Sequence, residues 1–108
     1  MAREVKRIEN MISGEKYFWT KHSIYKMRHY GLSPQRIKRI IRYPARIEEA
    51  IVPNLIAVMV PNKKQEIWTM YKLTKTQIKI ITAWRYPGKS PARNPIPKEI
   101  LEEIRSII

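Results

Sequence analysis

Hydrophobic residues recur at helical spacing from Thr20 to Pro44 and then switch to alternation from Arg46 to Arg85. Thr20 is a side chain that caps a helix start, and Gly31 stands where a glycine closes one, so the spacing predicts a helix through Tyr30. Ile24 and Met27, with help from Tyr25, are expected to supply its buried stripe. Ser33-Pro34 pairs an N-cap residue with proline at the first helical position. The helix that follows points Ile37, Ile40 and Ile41 inward and Arg36, Lys38, Arg39 and Arg42 outward, and Pro44 stops it. Upstream, Val5, Ile8 and Ile12 share one stripe of a short helix over residues 2–12, broken by Ser13-Gly14.

The alternating region divides into four strands, near Arg46–Val52, Leu55–Val60, Glu66–Leu73 and Gln77–Arg85. The links between them are short: Pro53-Asn54, Pro61-Asn62-Lys63-Lys64 and Thr74-Lys75-Thr76. Such links join neighbours as hairpins, which predicts a four-stranded antiparallel meander. Residues 87–97 hold four prolines and cannot form regular structure. A last helix over 98–107 carries Ile100, Leu101, Ile104 and Ile107 on its apolar side. The expected fold class is α+β, with N-terminal helices, a four-stranded antiparallel sheet and a C-terminal helix in one domain of 108 residues.

Charge changes this picture from a generic domain to a directed one. The formal net charge is +13. It is also segregated: between Glu15 and Glu48 lie nine Lys or Arg residues, both histidines and no acid. A second acid-free stretch, Ile67 to Lys98, holds seven more cations. Phosphate-rich partners reward such segregation, because each neutralised phosphate releases condensed counterions. RNA or the ribosome is therefore the expected partner. No cysteine is present, which excludes disulfides, thiol catalysis and thiolate zinc sites. Asp is absent too, and adjacent Glu pairs occur only at Glu48-Glu49 and Glu102-Glu103, so no metal or other cofactor is expected. No run approaches the ~20 apolar residues of a membrane span, and a cytoplasmic location is expected.

Candidate chemistry centres on the first basic helix. Residues three, four, seven and eight apart share a helix side, so His22, Lys26, His29 and Tyr30 form one polar stripe. RNA is cut without metal when its own 2′-hydroxyl attacks phosphorus. The protein then moves two protons and stabilises extra negative charge. On this reading His22 is the general base or acid, Lys26 and Arg85 clamp the phosphate, and Tyr30 and Thr82 give hydrogen-bonding support. In the last strand, alternation puts Ile78, Ile80, Thr82 and Trp84 on one side and Lys79, Ile81, Ala83 and Arg85 on the other. Arg28, Arg36, Arg39, Arg42, Lys72, Lys79, Tyr86 and Lys89 complete the expected nucleic-acid contacts. The stretch from Arg85 to Ser90 is basic but lacks the glycine spacing of a P-loop.

The run His22-Ser23-Ile24-Tyr25-Lys26-Met27-Arg28-His29-Tyr30-Gly31-Leu32-Ser33 resembles the signature of a small domain family in the RelE/ParE toxin-like superfamily, whose wider fold embraces barnase, EndoU and colicin ribonucleases. That signature reads His, small, two variable, Arg, Met, two variable, Arg, Gly, Ile, Ser. His22, Met27, Gly31 and Ser33 match it, and Thr82 matches a threonine in the last strand. Lys26 and Tyr30 stand where the signature has arginines; the lysine keeps charge without bidentate geometry, and the phenol loses charge altogether. The resemblance covers roughly residues 18–86. It implies a RelE-like fold, metal-independent endoribonuclease activity of toxin type, and an acidic antitoxin-like protein as a further partner. A non-catalytic RNA- or ribosome-binding protein is the alternative.

Overall fold

The structure is a computed structural model that describes residues 16–49 and 52–108. The helix expected over 2–12 lies outside the described residues, as do positions 50 and 51 at the expected end of the first hairpin strand. The described elements run β1 (Tyr17–Trp19), α1 (Lys21–Tyr30), α2 (Pro34–Arg42), β2 (Arg46–Glu49), β3 (Leu55–Asn62), β4 (Gln65–Leu73), β5 (Ile78–Pro87) and α3 (Lys98–Ile104). The class is α+β. Strands β2 to β5 pair antiparallel with their sequence neighbours, through links as short as Lys63-Lys64.

The sheet is nevertheless five-stranded and mixed, with order β1-β5-β4-β3-β2, which corrects the expectation of four antiparallel strands. β1 lies parallel to β5, pairing Tyr17 with Ile78 and Trp19 with Ile80. A strand of three residues has no period to read, so nothing in the alternation announced it.

The helix boundaries follow local chemistry. Thr20 caps α1, its hydroxyl accepting from the Ser23 amide at 3.1 Å while donating to the Ile80 carbonyl at 2.7 Å. One side chain thus starts the helix and pins it to β5. Gly31 closes α1 at φ +66°, a left-handed conformation that glycine adopts without strain. Ser33 caps α2 by accepting from the Arg36 amide at 3.1 Å.

Two apolar clusters sandwich the sheet. On one side Met27, Leu32, Ile37, Ile40 and Ile41 pack on Ile56, Val58, Ile67, Tyr71, Ile78, Ile80 and Ala83. On the other, Ile100 and Ile104 of α3 cover Leu55, Ala57, Met59, Trp68, Met70, Ile81 and Trp84. Each fully buried isoleucine of α2 contributes about 1.5–3 kcal/mol, an upper figure because the unfolded chain already hides some surface.

A β-bulge in β5 decides where the candidate residues point. Tyr71 opposes Ile80 and Met70 opposes Thr82, leaving Ile81 as an extra residue. Alternation changes phase there, so Arg85 falls on the side of Ile78, Ile80 and Ala83, and Thr82 joins Ile81 and Trp84. The expected row of Lys79, Ile81, Ala83 and Arg85 is therefore broken.

Candidate nucleic-acid interface

α1 lies along the β5 edge, and its buried stripe differs from the expected one. Ser23, Lys26 and Met27 are buried, whereas Ile24 is 38% exposed and Tyr25 64%. The small Ser23 permits close approach to the strand, and its hydroxyl donates to the Thr20 carbonyl at 2.7 Å. Lys26, only 9% exposed, is buried rather than presented to solvent. Its ammonium lies 3.1 Å from Glu103 Oε1 on α3 and 5.2 Å from the centre of the Tyr30 ring. His22 Nε2 comes within 2.9 Å of the same oxygen. That ring nitrogen forms no hydrogen bond, so the contact is one of proximity. A histidine and a lysine thus converge on one carboxylate, whereas His29 is exposed and meets the Tyr25 and Tyr30 rings instead.

Arg85 does not join them. Its Nε donates to the Tyr30 carbonyl at 2.9 Å, at the C-terminal end of α1, and a terminal nitrogen donates to Gln65 Oε1 at 3.2 Å. His22 sits eight residues earlier, about 12 Å along the helix axis. The bulge also turns Arg85 to the side of the sheet opposite α3, so His22 and Arg85 do not share a hollow. Thr82 is fully buried and its hydroxyl has no hydrogen-bond partner among the described residues. It lies on the side that α3 covers, as His22 and Lys26 do through Glu103.

The expected nucleic-acid contacts split between two sides. Arg28 projects from α1 and Arg36, Arg39 and Arg42 from α2, with Arg36 half-buried and the others exposed. Shallow cavities of about 230 and 250 Å³ flank α2, and Arg39 and the exposed Tyr43 line both. Lys38 also lines the first, with its ammonium 5.0 Å from the centre of the Tyr17 ring. Lys72 and Lys79 pair across β4 and β5 on the other side of the sheet, and Tyr86 packs there into the α3 cluster. Lys89 is exposed in the loop after β5.

Three features escaped sequence reasoning. Glu103 was one, although its place beside Ile104 and one turn from Ile100 puts it at the border of the buried stripe of α3. Tyr43, which lines both cavities and shares the first with the outward-facing Lys38, was the second. The third is a buried network at the far end of the sheet. Glu66, 4% exposed, accepts from the Trp68 indole at 3.0 Å and the Ser90 amide at 3.2 Å. Arg46 stacks its guanidinium over the Trp68 ring and donates to Ser90 Oγ and to the carbonyls of Pro91 and Ala92. The network fastens the proline-rich loop that leads into α3.

Burial alone would push the Glu66 carboxyl up. Hydrogen bonds from Ser90 and Trp68, together with the Arg46 charge, outweigh it and hold the carboxyl below its ordinary value of 4.5. Glu66 therefore stabilises the fold above about pH 4.5, and this contribution disappears as pH falls through the lower folded value. Melting curves of wild type and Glu66→Gln across the acid range should converge as pH drops. Curves that stay parallel would contradict the assignment.

In comparisons with known proteins, no family model, curated protein or solved structure matches the chain. Among the described residues, no helix is long and apolar enough to cross a membrane.

Proposed function

We propose that this chain is a small RNA-directed domain that binds through the cationic surface of α1 and α2. One observation carries the reading: from Lys16 to Arg46 every charged side chain is a cation, and α2 sets Arg39 and Arg42 in solvent beside Tyr43 and two shallow grooves. Guanidinium groups grip phosphate with paired donors, and an exposed aromatic ring adds a surface for a base. The likeness of residues 22–33 to RelE/ParE-type domains supports RNA or the ribosome over other polyanions, and a RelE-like fold is part of the proposal. Anisotropy of a labelled single-stranded RNA, titrated as salt is raised, tests it. With about four phosphate contacts, affinity falls roughly 50-fold over a fourfold rise in salt. Salt-independent binding, or none, overturns the reading.

A second reading, metal-independent endoribonuclease of toxin type, draws on the His22–Lys26 convergence. Two groups that lie 2.9 and 3.1 Å from one carboxylate oxygen are spaced to reach a phosphate oxygen in its place. In this reading His22 serves the 2′-hydroxyl or the leaving oxygen, Lys26 and Tyr30 steady the phosphate, and Glu103 must first withdraw. Arg85 belongs to the C-terminal end of α1 in this scheme and acts by holding Tyr30. An acidic antitoxin-like protein would suit the same cationic surface.

A further inference from the structure

A second feature of the surface is used by neither the His22–Lys26 pair nor the α2 cations. Lys21, Tyr25, Arg28 and His29 stand at positions i, i+4, i+7 and i+8 of α1, all exposed and on one side of the helix. Tyr25 turns most of its ring to solvent. It lies nearly parallel to the His29 imidazole, with centres 6.3 Å apart and planes 20° apart. His29 in turn meets the Tyr30 ring edge-on at 4.7 Å. The three rings therefore form a continuous series of ring contacts along α1, with Tyr25 at its exposed end. No acid stands in α1, and Lys21 and Arg28 flank the exposed ring.

We propose that this side of α1 is a base-stacking platform for single-stranded RNA, with Tyr25 and His29 as the stacking rings and Lys21 and Arg28 as phosphate contacts. The inference rests on the RNA-binding reading and narrows it to unpaired strands. Bases in a duplex already stack on one another and offer no free faces, whereas unpaired bases stack on exposed aromatic rings. An acidic protein surface would pair with Lys21 and Arg28 but would have little use for two open ring faces. A nearly parallel pair of rings, set between cations, fits a strand whose bases and phosphates alternate.

The test compares one RNA sequence, single-stranded and annealed to its complement, against wild type, Tyr25→Ala, Tyr25→Phe and Arg28→Gln. Circular dichroism shows that each variant is folded, as an exposed position allows. Tyr25→Ala should weaken single-strand binding by about 5- to 150-fold, the range of one lost base stack, while Tyr25→Phe stays within about 2-fold of wild type. Duplex binding should be indifferent to Tyr25→Ala. Arg28→Gln should lower the salt slope by about 0.7, a decrement that Tyr25→Ala should not show. Wild-type binding with an unchanged Tyr25→Ala affinity overturns the platform and leaves the RNA reading standing. Equal losses on single strand and duplex overturn it as well. A wild type that binds neither RNA overturns both.

Discussion

Replacing Trp68 by alanine should cost about 3–5 kcal/mol of stability, the range for deleting a large buried aromatic side chain. Its ring is fully buried and stacks on Trp84 with centres 5.6 Å apart and planes 3° apart. It also lies beneath the Arg46 guanidinium and donates its indole N–H to Glu66. Alanine removes all three contacts and leaves a buried carboxylate short of a donor, which adds to the cavity. The network that secures residues 90–92 weakens with it, and α3 is tied less firmly to the sheet. Urea denaturation with an unchanged m-value measures the loss. Trp68→Phe, which keeps the stack but not the donor, should fall between alanine and wild type. A cost below about 1 kcal/mol for alanine would show that the two indoles are not the centre of the α3 cluster.

Glu103→Ala is the second large effect and the more informative one for function. Lys26 would keep its burial and lose its carboxylate, retaining only the Tyr30 ring. Leaving a buried charge without its partner is costly, and for a pair that is partly open to water the expected loss is about 1–3 kcal/mol. The paired change Lys26→Met with Glu103→Leu should recover much of that loss, because neither side chain then needs solvation. If Glu103→Ala instead matches wild type in urea, the contact is no stronger than an ordinary surface pair. The same variant separates the two functional readings. RNA incubated in EDTA with Glu103→Ala should stay intact if the chain only binds. Cleavage that appears on this change and disappears when His22→Ala is added would favour the nuclease reading.

Much of the fold was legible because its signals are local. Thr20, Gly31 and the Ser33-Pro34 pair mark helix ends through chemistry confined to a few residues, and the structure uses each of them there. Strands β2 to β5 were visible as alternation punctuated by short turns. What alternation could not show was the bulge at Ile81, since an unpaired residue is defined by the opposite strand. That one residue reversed Arg85 and removed it from the expected phosphate clamp. The burial of Lys26 is hidden from the sequence for a related reason. A lysine is poor core material until a carboxylate reaches it, and Glu103 arrives from 77 residues further along the chain. Ile24 and Tyr25 were expected inside by hydrophobicity alone. The small Ser23 took the close contact with β5, and the larger Ile24 and Tyr25 side chains were left facing out.

The candidate surface was legible only in part. Charge segregation identified the cationic stretch, and α2 displays Arg39 and Arg42 as its spacing required. Sequence could not show that Lys72 and Lys79 would face away from α2, because that depends on the sheet having helices on both sides.

The most direct test is the salt dependence of single-stranded RNA binding by a triple variant, Arg36→Gln, Arg39→Gln and Arg42→Gln, beside Lys63→Gln, Lys64→Gln and Lys75→Gln at the hairpin turns. Both remove three positive charges. The α2 variant should lose about 2 units of slope in log affinity against log salt, and the hairpin variant should keep the wild-type slope. Equal slopes for the two variants would show that total charge alone draws the RNA, and that α2 is not where it binds.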